Sequence, residues 1–226
     1  MKKYALIGKN ISHYTLSPKI HPIIYEHLGI EASYAVFDGE LEDIMISMKK
    51  LDGFNVTQPY KEQIKNILHE NYSNYDGVNT VIRKKDKLIG YNTDAYGFEK
   101  DFLPLVSDIK NETFHILGRG ATSRLIRQIL SSQGMIENMA DPTIVINASA
   151  QFLDKRKEYI PEFSEKNLKI AYDTIYFDTT FNKHYGCKNG LGMLIYQAIE
   201  ACRLFFEEKI EDEEVLFNKI LEELSR

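Results

Sequence analysis

The run Thr113-Phe114-His115-Ile116-Leu117 leads directly into Gly118-Arg119-Gly120-Ala121-Thr122-Ser123, and a helical stretch continues to about Ser132. A strand that passes through a glycine turn into a helix leaves the first helical amides pointing at the turn, where they suit a pyrophosphate. Gly-x-Gly-x-x-Ser spacing is not specific by itself, but strand and helix flank it here in the required order. Further strands are predicted at 143–147 and 169–172. Helices are predicted from about Leu191 and from Asp212, the second with Leu216, Ile220, Leu221 and Leu224 on one face.

The residues before this unit also alternate strand and helix signals. Residues 5–7 read as a strand, and Ser17-Pro18 reads as an N-cap followed by a proline at the first helical position. Ile20, Ile23, Ile24 and Leu28 recur at helical spacing, and Gly29 supplies the stop. Strands are predicted at 34–37 and 54–56, with a helix between them at 41–51. Residues 78–82 and 88–91 flank the polar run Arg83-Lys84-Lys85-Asp86-Lys87, which reads as a hairpin tip. The fold class is therefore α/β, with a mixed sheet in the N-terminal part.

Composition excludes several function classes. The 226-residue chain is long enough for one large domain or two small ones, and its 43% hydrophobic and 27% charged residues are ordinary for a globular protein. A net charge of −5 argues against a nucleic-acid footprint, which needs a basic patch. Cys187 and Cys202 form no metal-spaced or disulfide framework, so no metal is expected and a reducing compartment is. The apolar run that ends at Gly8 is too short for a signal segment, and no stretch approaches the ~20 apolar residues of a membrane span. A cytoplasmic protein is the expectation. The acidic run from Glu207 to Glu214 reads as solvated helix–loop surface.

Three segments carry the chemistry. They are Asn55-Val56-Thr57-Gln58-Pro59-Tyr60-Lys61, then Asn79-Thr80, then Gly90-Tyr91-Asn92-Thr93-Asp94-Ala95-Tyr96-Gly97. Each sets short hydrogen-bonding side chains together, with one lysine in the first and one aspartate in the last. Such a set suits a polyhydroxylated acid on which one proton moves. Taken singly, Lys61 could be an exposed helix-start lysine, Asp94 an N-cap, and Asn55, Thr57 and Asn79 turn or cap residues. The order and spacing of the three segments resemble shikimate dehydrogenase, a resemblance that runs from about Tyr4 to Gln197.

That resemblance implies an N-terminal substrate-binding domain at 1–100, completed by helices at 191–226, and a shortened Rossmann-like nucleotide domain at 101–190. It implies reversible, NADP-dependent reduction of 3-dehydroshikimate to shikimate in the chorismate route to aromatic amino acids. Lys61 and Asp94 take the acid/base roles. Thr57, and Thr15 and Ser17 aligned from the proline side, lie at the substrate carboxylate, while Asn55, Asn79 and Gln197 bond ring hydroxyls and Tyr176 is a further substrate contact. The family pattern His-Ser-x-Ser-Pro is one residue longer here, in His13-Tyr14-Thr15-Leu16-Ser17-Pro18, so Tyr14 is an insertion and His13 receives no role. Cofactor contacts fall on Gly118, Arg119, Gly120, Ala121, Asn147, Ala148, Gly190 and Met193, although Met193 also fits plain core packing. Either a monomer or a homodimer is compatible, with no nucleic-acid or membrane partner.

One departure from the family matters. Relatives carry a second strand ending in Asn-Arg-Thr-x-x-Arg, whose arginines hold the 2′-phosphate of NADP, and then a further helix. Here only residues 133–142 separate the first helix from Ile144-Val145-Ile146-Asn147-Ala148-Ser149, so a strand–helix unit and its clamp are expected to be missing. Asp141 is the acid nearest to where a ribose contact might be sought, though it better matches the aspartate before the Asn-Ala strand. Two readings stay open. One is a compact dehydrogenase that holds NADP weakly or accepts NAD, including a quinate-directed form. The other is a shikimate-binding paralogue with little or no dehydrogenase activity.

Overall fold

The computed structural model describes residues 1–153 and 159–225. They divide into two units, one comprising residues 1–93 and 195–226 and the other residues 94–194.

The first unit opens with β1 (Lys2–Gly8), α1 (Ser17–His27), β2 (Ala32–Asp38), α2 (Leu41–Met48) and β3 (Gly53–Val56). Two-residue β4 (Glu70–Asn71) and the hairpin β5 (Thr80–Lys84) and β6 (Lys87–Tyr91) complete a six-stranded sheet in the order β2-β1-β3-β5-β6-β4. β1 pairs parallel with β2 and β3, whereas β5 runs antiparallel to β3 and β6, which makes the mixed sheet expected from the sequence. β1 and β3 are central strands, and their apolar residues are buried on both faces, as central strands require. Ala5, Ile7, Phe54, Val56, Val81 and Leu88 form one core with Ile44 and Met48 of α2.

The start of α1 differs from the expectation. Leu16 occupies the N-cap position without a side-chain bond, and Ser17 is already the first helical residue. Helical spacing also places His21 on the inner face, fully buried beneath the ring of Tyr34 at 3.9 Å. Burial pulls its pKa down to about 3. The folded protein therefore keeps His21 neutral while the unfolded chain protonates it below about pH 6.5. The unfolded state binds the extra proton, so stability rises with pH between about 3 and 6.5. We expect the melting temperature to fall steeply as the pH drops through that window and His21→Phe to flatten the fall; an unchanged slope in a folded variant would remove His21 from acid unfolding.

The second unit contains α3 (Asp94–Phe102), β7 (Thr113–Leu117), α4 (Ala121–Ser132), β8 (Ile136–Glu137), β9 (Ile144–Asn147), β10 (Ile170–Asp173) and α5 (Thr180–Tyr185). Its sheet is parallel throughout, in the order β10-β9-β7-β8. The β-branched run of β9 is fully buried, and α4 turns Leu125, Ile126, Ile129 and Leu130 inward. Two further helices, α6 (Leu191–Phe206) and α7 (Glu213–Leu224), end the chain. α6 enters the first unit at Ile195, where Phe205 stacks on Tyr4 at 4.4 Å, and α7 packs on α1. Among the described residues, no helix is long and apolar enough to cross a membrane.

The missing segment is smaller than the sequence suggests. The second strand survives as β8, two residues long, and it is the following helix that is gone. β8 pairs only with Thr113 and Phe114, and the turn 138–143 then crosses beneath β7 into β9. Asn138 and Thr143 donate their amides to the carbonyls of Phe114 and Thr113 along the way. So short a return is possible only because β8 stops at the level where β9 starts, both opposite Phe114. A full-length strand would end at the far edge of the sheet and would need a crossover of a dozen residues or more.

Candidate active site

In the first unit the strand ends bring a set of neutral side chains together. The Asn55 amide donates to Thr80 Oγ1 at 3.0 Å, and Thr80 Oγ1 lies 3.1 Å from Asn79 Oδ1 and from Thr93 Oγ1. Asn79 Oδ1 accepts the Thr93 amide at 2.7 Å, and Asn79 Nδ2 donates to Thr93 Oγ1 at 3.1 Å and to Gln197 Oε1 at 3.3 Å. All five residues are buried. A network in which each member fixes the next holds its donors and acceptors in one arrangement before any ligand arrives.

Lys61 lies beside this network. It sits in the turn after β3 rather than at a helix start, and its carbonyl accepts the amide of Val78 at 2.8 Å, next to Asn79. Thr57 follows β3 and donates its amide to the Ile7 carbonyl at 2.9 Å. Tyr34 of β2, unremarked in the sequence, donates its hydroxyl to Asn55 Oδ1 at 2.8 Å and is also hydrogen-bonded to Ser17. Burial holds the Tyr34 phenol well above its ordinary pKa, so it stays a donor.

The β1–α1 loop presents Thr15, the first residue of α1 is Ser17, and the Ser17 amide donates to Thr15 Oγ1 at 3.3 Å. This loop is organised by Asp38 at the end of β2, whose carboxylate accepts the amides of Asn10, Ile11 and Ser12 at 2.6, 2.9 and 2.8 Å. Bonds from the Ser12 side chain and amide hold the Asp38 carboxyl below its ordinary range. His13 is exposed and packs edge-on against Tyr14, the inserted residue, outside this set of bonds.

The second unit carries Asp94 and the glycine turn. Asp94 is the first residue of α3 and is buried, one peptide bond beyond Thr93. Gly118 has φ +127°, and a Cβ there would lie 2.6 Å from the Ala148 carbonyl, so only glycine permits the turn to approach Ala148 this closely. Gly120 is the N-cap of α4, with Arg119 exposed beside it and Ala121 opening the helix. Ser123 donates its hydroxyl to the Gly120 carbonyl at 2.7 Å. Asn147 is turned inward, its amide donating to Asp173 at 2.9 Å and its oxygen accepting the Ser149 amide at 2.9 Å. Asp173 also accepts the Ile175 amide and the Thr179 hydroxyl, and burial raises its pKa against those bonds. Tyr176 follows on the loop after β10, with its ring against Phe177. Gly190 abuts the Thr174 carbonyl, Gly192 abuts the Asp101 carboxylate, and Met193 is buried.

Comparison with known proteins points in one direction. Residues 6–81 match the family described as the shikimate dehydrogenase substrate binding domain. A shikimate dehydrogenase (NADP(+)) of Staphylococcus aureus strain MSSA476 is 32% identical over 247 residues, covering 90% of this chain and 92% of that protein. The chain belongs to the shikimate dehydrogenase family. Shikimate dehydrogenase 1 of Peptoclostridium difficile shares its fold with a TM-score of 0.83 at 27% identity, over 97% of this chain and 98% of that one. The shikimate 5-dehydrogenase of Thermus thermophilus, solved in complex with NADP(H) and shikimate, gives 0.78 at 26% identity, over 98% and 99%.

The aligned stretch of 247 residues exceeds the 226 of this chain, so the match to the staphylococcal shikimate dehydrogenase bridges gaps on this side. The turn at Gly118 and the free first-turn amides of α4 fit a pyrophosphate. Residues 138–143 contain no lysine or arginine, and their turn lies at the opposite end of β7 from Gly118. Asp141 belongs to that turn and accepts from Asn167 at 2.7 Å, away from the glycine turn.

Sequence reasoning missed Tyr34, Asp38 and the structural roles of Thr80 and Thr93. The two threonines lie within the motif segments themselves, which is the one signal that could have flagged them. Ser17 tests the alignment across Tyr14. Ser17→Ala should raise KM for shikimate with a smaller effect on kcat, since loss of a neutral donor to a charged group costs about 1.5–3 kcal/mol. Full affinity by titration would mean that the inserted residue lies elsewhere.

Proposed function

We propose that this chain catalyses the reversible reduction of 3-dehydroshikimate to shikimate with a nicotinamide cofactor, on the route to chorismate and aromatic amino acids. The observation that carries the reading is the buried Asn55–Thr80–Asn79–Thr93–Gln197 network with Lys61 anchored beside it. A ring bearing hydroxyls and a keto group calls for neutral donors and acceptors in fixed positions, and the network provides them. Thr15, Ser17 and Thr57 take the carboxylate end, aided by the amides that open α1.

Bound cofactor supplies the hydride to the keto carbon. Lys61 then stabilises the charge developing on the keto oxygen and delivers its Nζ proton there, and Asp94 is the carboxylate of the acid/base pair. In the reverse direction Lys61 takes the hydroxyl proton back. The binding-only alternative is not favoured, because the chain belongs to a dehydrogenase family and keeps both Lys61 and Asp94 in its sequence beside the residues of the neutral network. Incubation with shikimate and either NADP or NAD, followed by absorbance of the reduced cofactor, tests the reading; a protein that binds shikimate but reduces neither cofactor would sink it.

NADP is held weakly in this proposal. Each lost charge-assisted bond to the 2′-phosphate removes about 1.5–3 kcal/mol, so losing two weakens NADP by roughly a hundredfold or more. Calorimetry with NADP and shikimate separately should give a weak and an ordinary constant respectively. Tight NADP binding with strong rejection of NAD would show that another segment, such as Arg119, rebuilds the clamp.

A further inference from the structure

A dinucleotide-binding sheet reads the adenosine ribose at the carboxyl end of its second strand. The reading residue lies about twenty residues beyond the first glycine of the turn, where an acid accepts from a free 2′-hydroxyl and a nearby cation takes a 2′-phosphate. In this chain the second strand is β8, it ends at Glu137, and Glu137 follows Gly118 by about that interval.

β8 stops beside Phe114, while β7 runs on to Leu117, roughly 10 Å farther at ~3.3 Å per residue. Beyond Phe114 no described strand pairs with that edge of β7. The Glu137 side chain occupies it instead, and its carboxylate accepts the amide of Ile116, two residues before Gly118. The Glu137 side chain is 27% exposed, so it is only partly covered. Arg127 reaches it from α4 with two parallel bonds, Nε at 2.7 Å and an Nη at 2.9 Å.

Resting on the dehydrogenase reading, we propose that Glu137 is the residue with which this chain reads the cofactor's adenosine ribose, accepting from a free 2′-hydroxyl and disfavouring a 2′-phosphate, with Arg127 as its positioning partner. The Arg127 fork serves one bidentate acceptor at a time, and Glu137 already fills it. A 2′-phosphate would bring about −1.5 to −2 of charge, the usual charge of a phosphate monoester, against a carboxylate whose counter-ion is engaged. A ribose hydroxyl needs only a free lone pair, and a carboxylate has about four lone-pair sites. The ligand class is therefore a dinucleotide without a 2′-phosphate.

Calorimetry of the full chain with NAD and NADP, with shikimate titrated into the same samples, tests the assignment. The expected result is that NAD binds at least as tightly as NADP. Glu137→Gln should weaken NAD by about tenfold and shift the NAD/NADP ratio toward NADP by releasing Arg127. Arg127→Gln, which keeps the carboxylate, should weaken NADP more than NAD. Tighter NADP than NAD in the unmodified chain, or an unchanged ratio in a folded Glu137→Gln protein, would overturn the assignment and leave the dehydrogenase reading standing. Should Glu137→Gln fail to fold, the ratio in the unmodified chain and in Arg127→Gln still decides. Binding of neither cofactor, with shikimate bound normally, would overturn both.

Discussion

Lys61→Ala should lower kcat by about two to four orders of magnitude while shikimate affinity stays within a few-fold, because a positioned proton donor contributes that much to turnover. In the proposed mechanism Lys61 acts when charge appears on the keto oxygen, whereas Asn55, Asn79, Gln197 and the hydroxyls of Thr15 and Ser17 would hold the resting substrate. The backbone of residue 61 is fixed by the Val78 amide, which any side chain at 61 leaves intact, so the variant should fold. Comparison of single-turnover rates with titrated shikimate affinities separates the two effects. A folded Lys61→Ala protein with normal kcat would remove the lysine from the mechanism, and an equal loss of binding and turnover would make it a ground-state contact.

The second large effect is on stability. Asp101 of α3 is buried, with its side chain 1% exposed, and it accepts from the Tyr172 hydroxyl and from Lys188, each at 2.7 Å. Gly192 leaves the room its oxygens occupy. Lys188→Met would strand that carboxylate with one neutral donor. Removing one partner of a buried ion pair costs about 3–5 kcal/mol, and the half-exposed ammonium puts this case near the lower end. For a chain of this length about 3 kcal/mol corresponds to a fall in Tm of roughly 6–12 °C. Asp101→Asn, which keeps the Tyr172 bond and the volume, should cost less than Lys188→Met; the reverse order in thermal melts would show that the ion pair contributes little.

Much of this was legible in the sequence because the information was local. The strands at 54–56 and 143–147 and the helix through Ser132 carry their own periodicity and glycine punctuation. Asn55, Lys61, Asn79 and Asp94 lie in short segments whose residue types announce hydrogen bonding. What could not be read depends on distant partners. Tyr34 looks like any strand tyrosine until β2 is set two strands from Asn55. Asp101 has its partners on β10 and at Lys188, and His21 reads as a surface histidine until α1 turns it beneath Tyr34. β8 escaped notice because two residues carry no period, and only the tertiary edge of β7 makes them a strand.

That edge carries a last consequence. Open strand edges invite another chain to add by backbone pairing, and proteins discourage this with charge placed along the edge. The part of β7 beyond Phe114 is such an edge, and Ile136 and Met139, on β8 and the turn after it beside the start of β7, are 71% and 66% exposed. Glu137 occupies the Ile116 amide that an incoming strand would need, and the Arg127 guanidinium stands beside it. One side chain thus closes the gap left by a shortened strand and keeps the sheet from recruiting a neighbour to fill it.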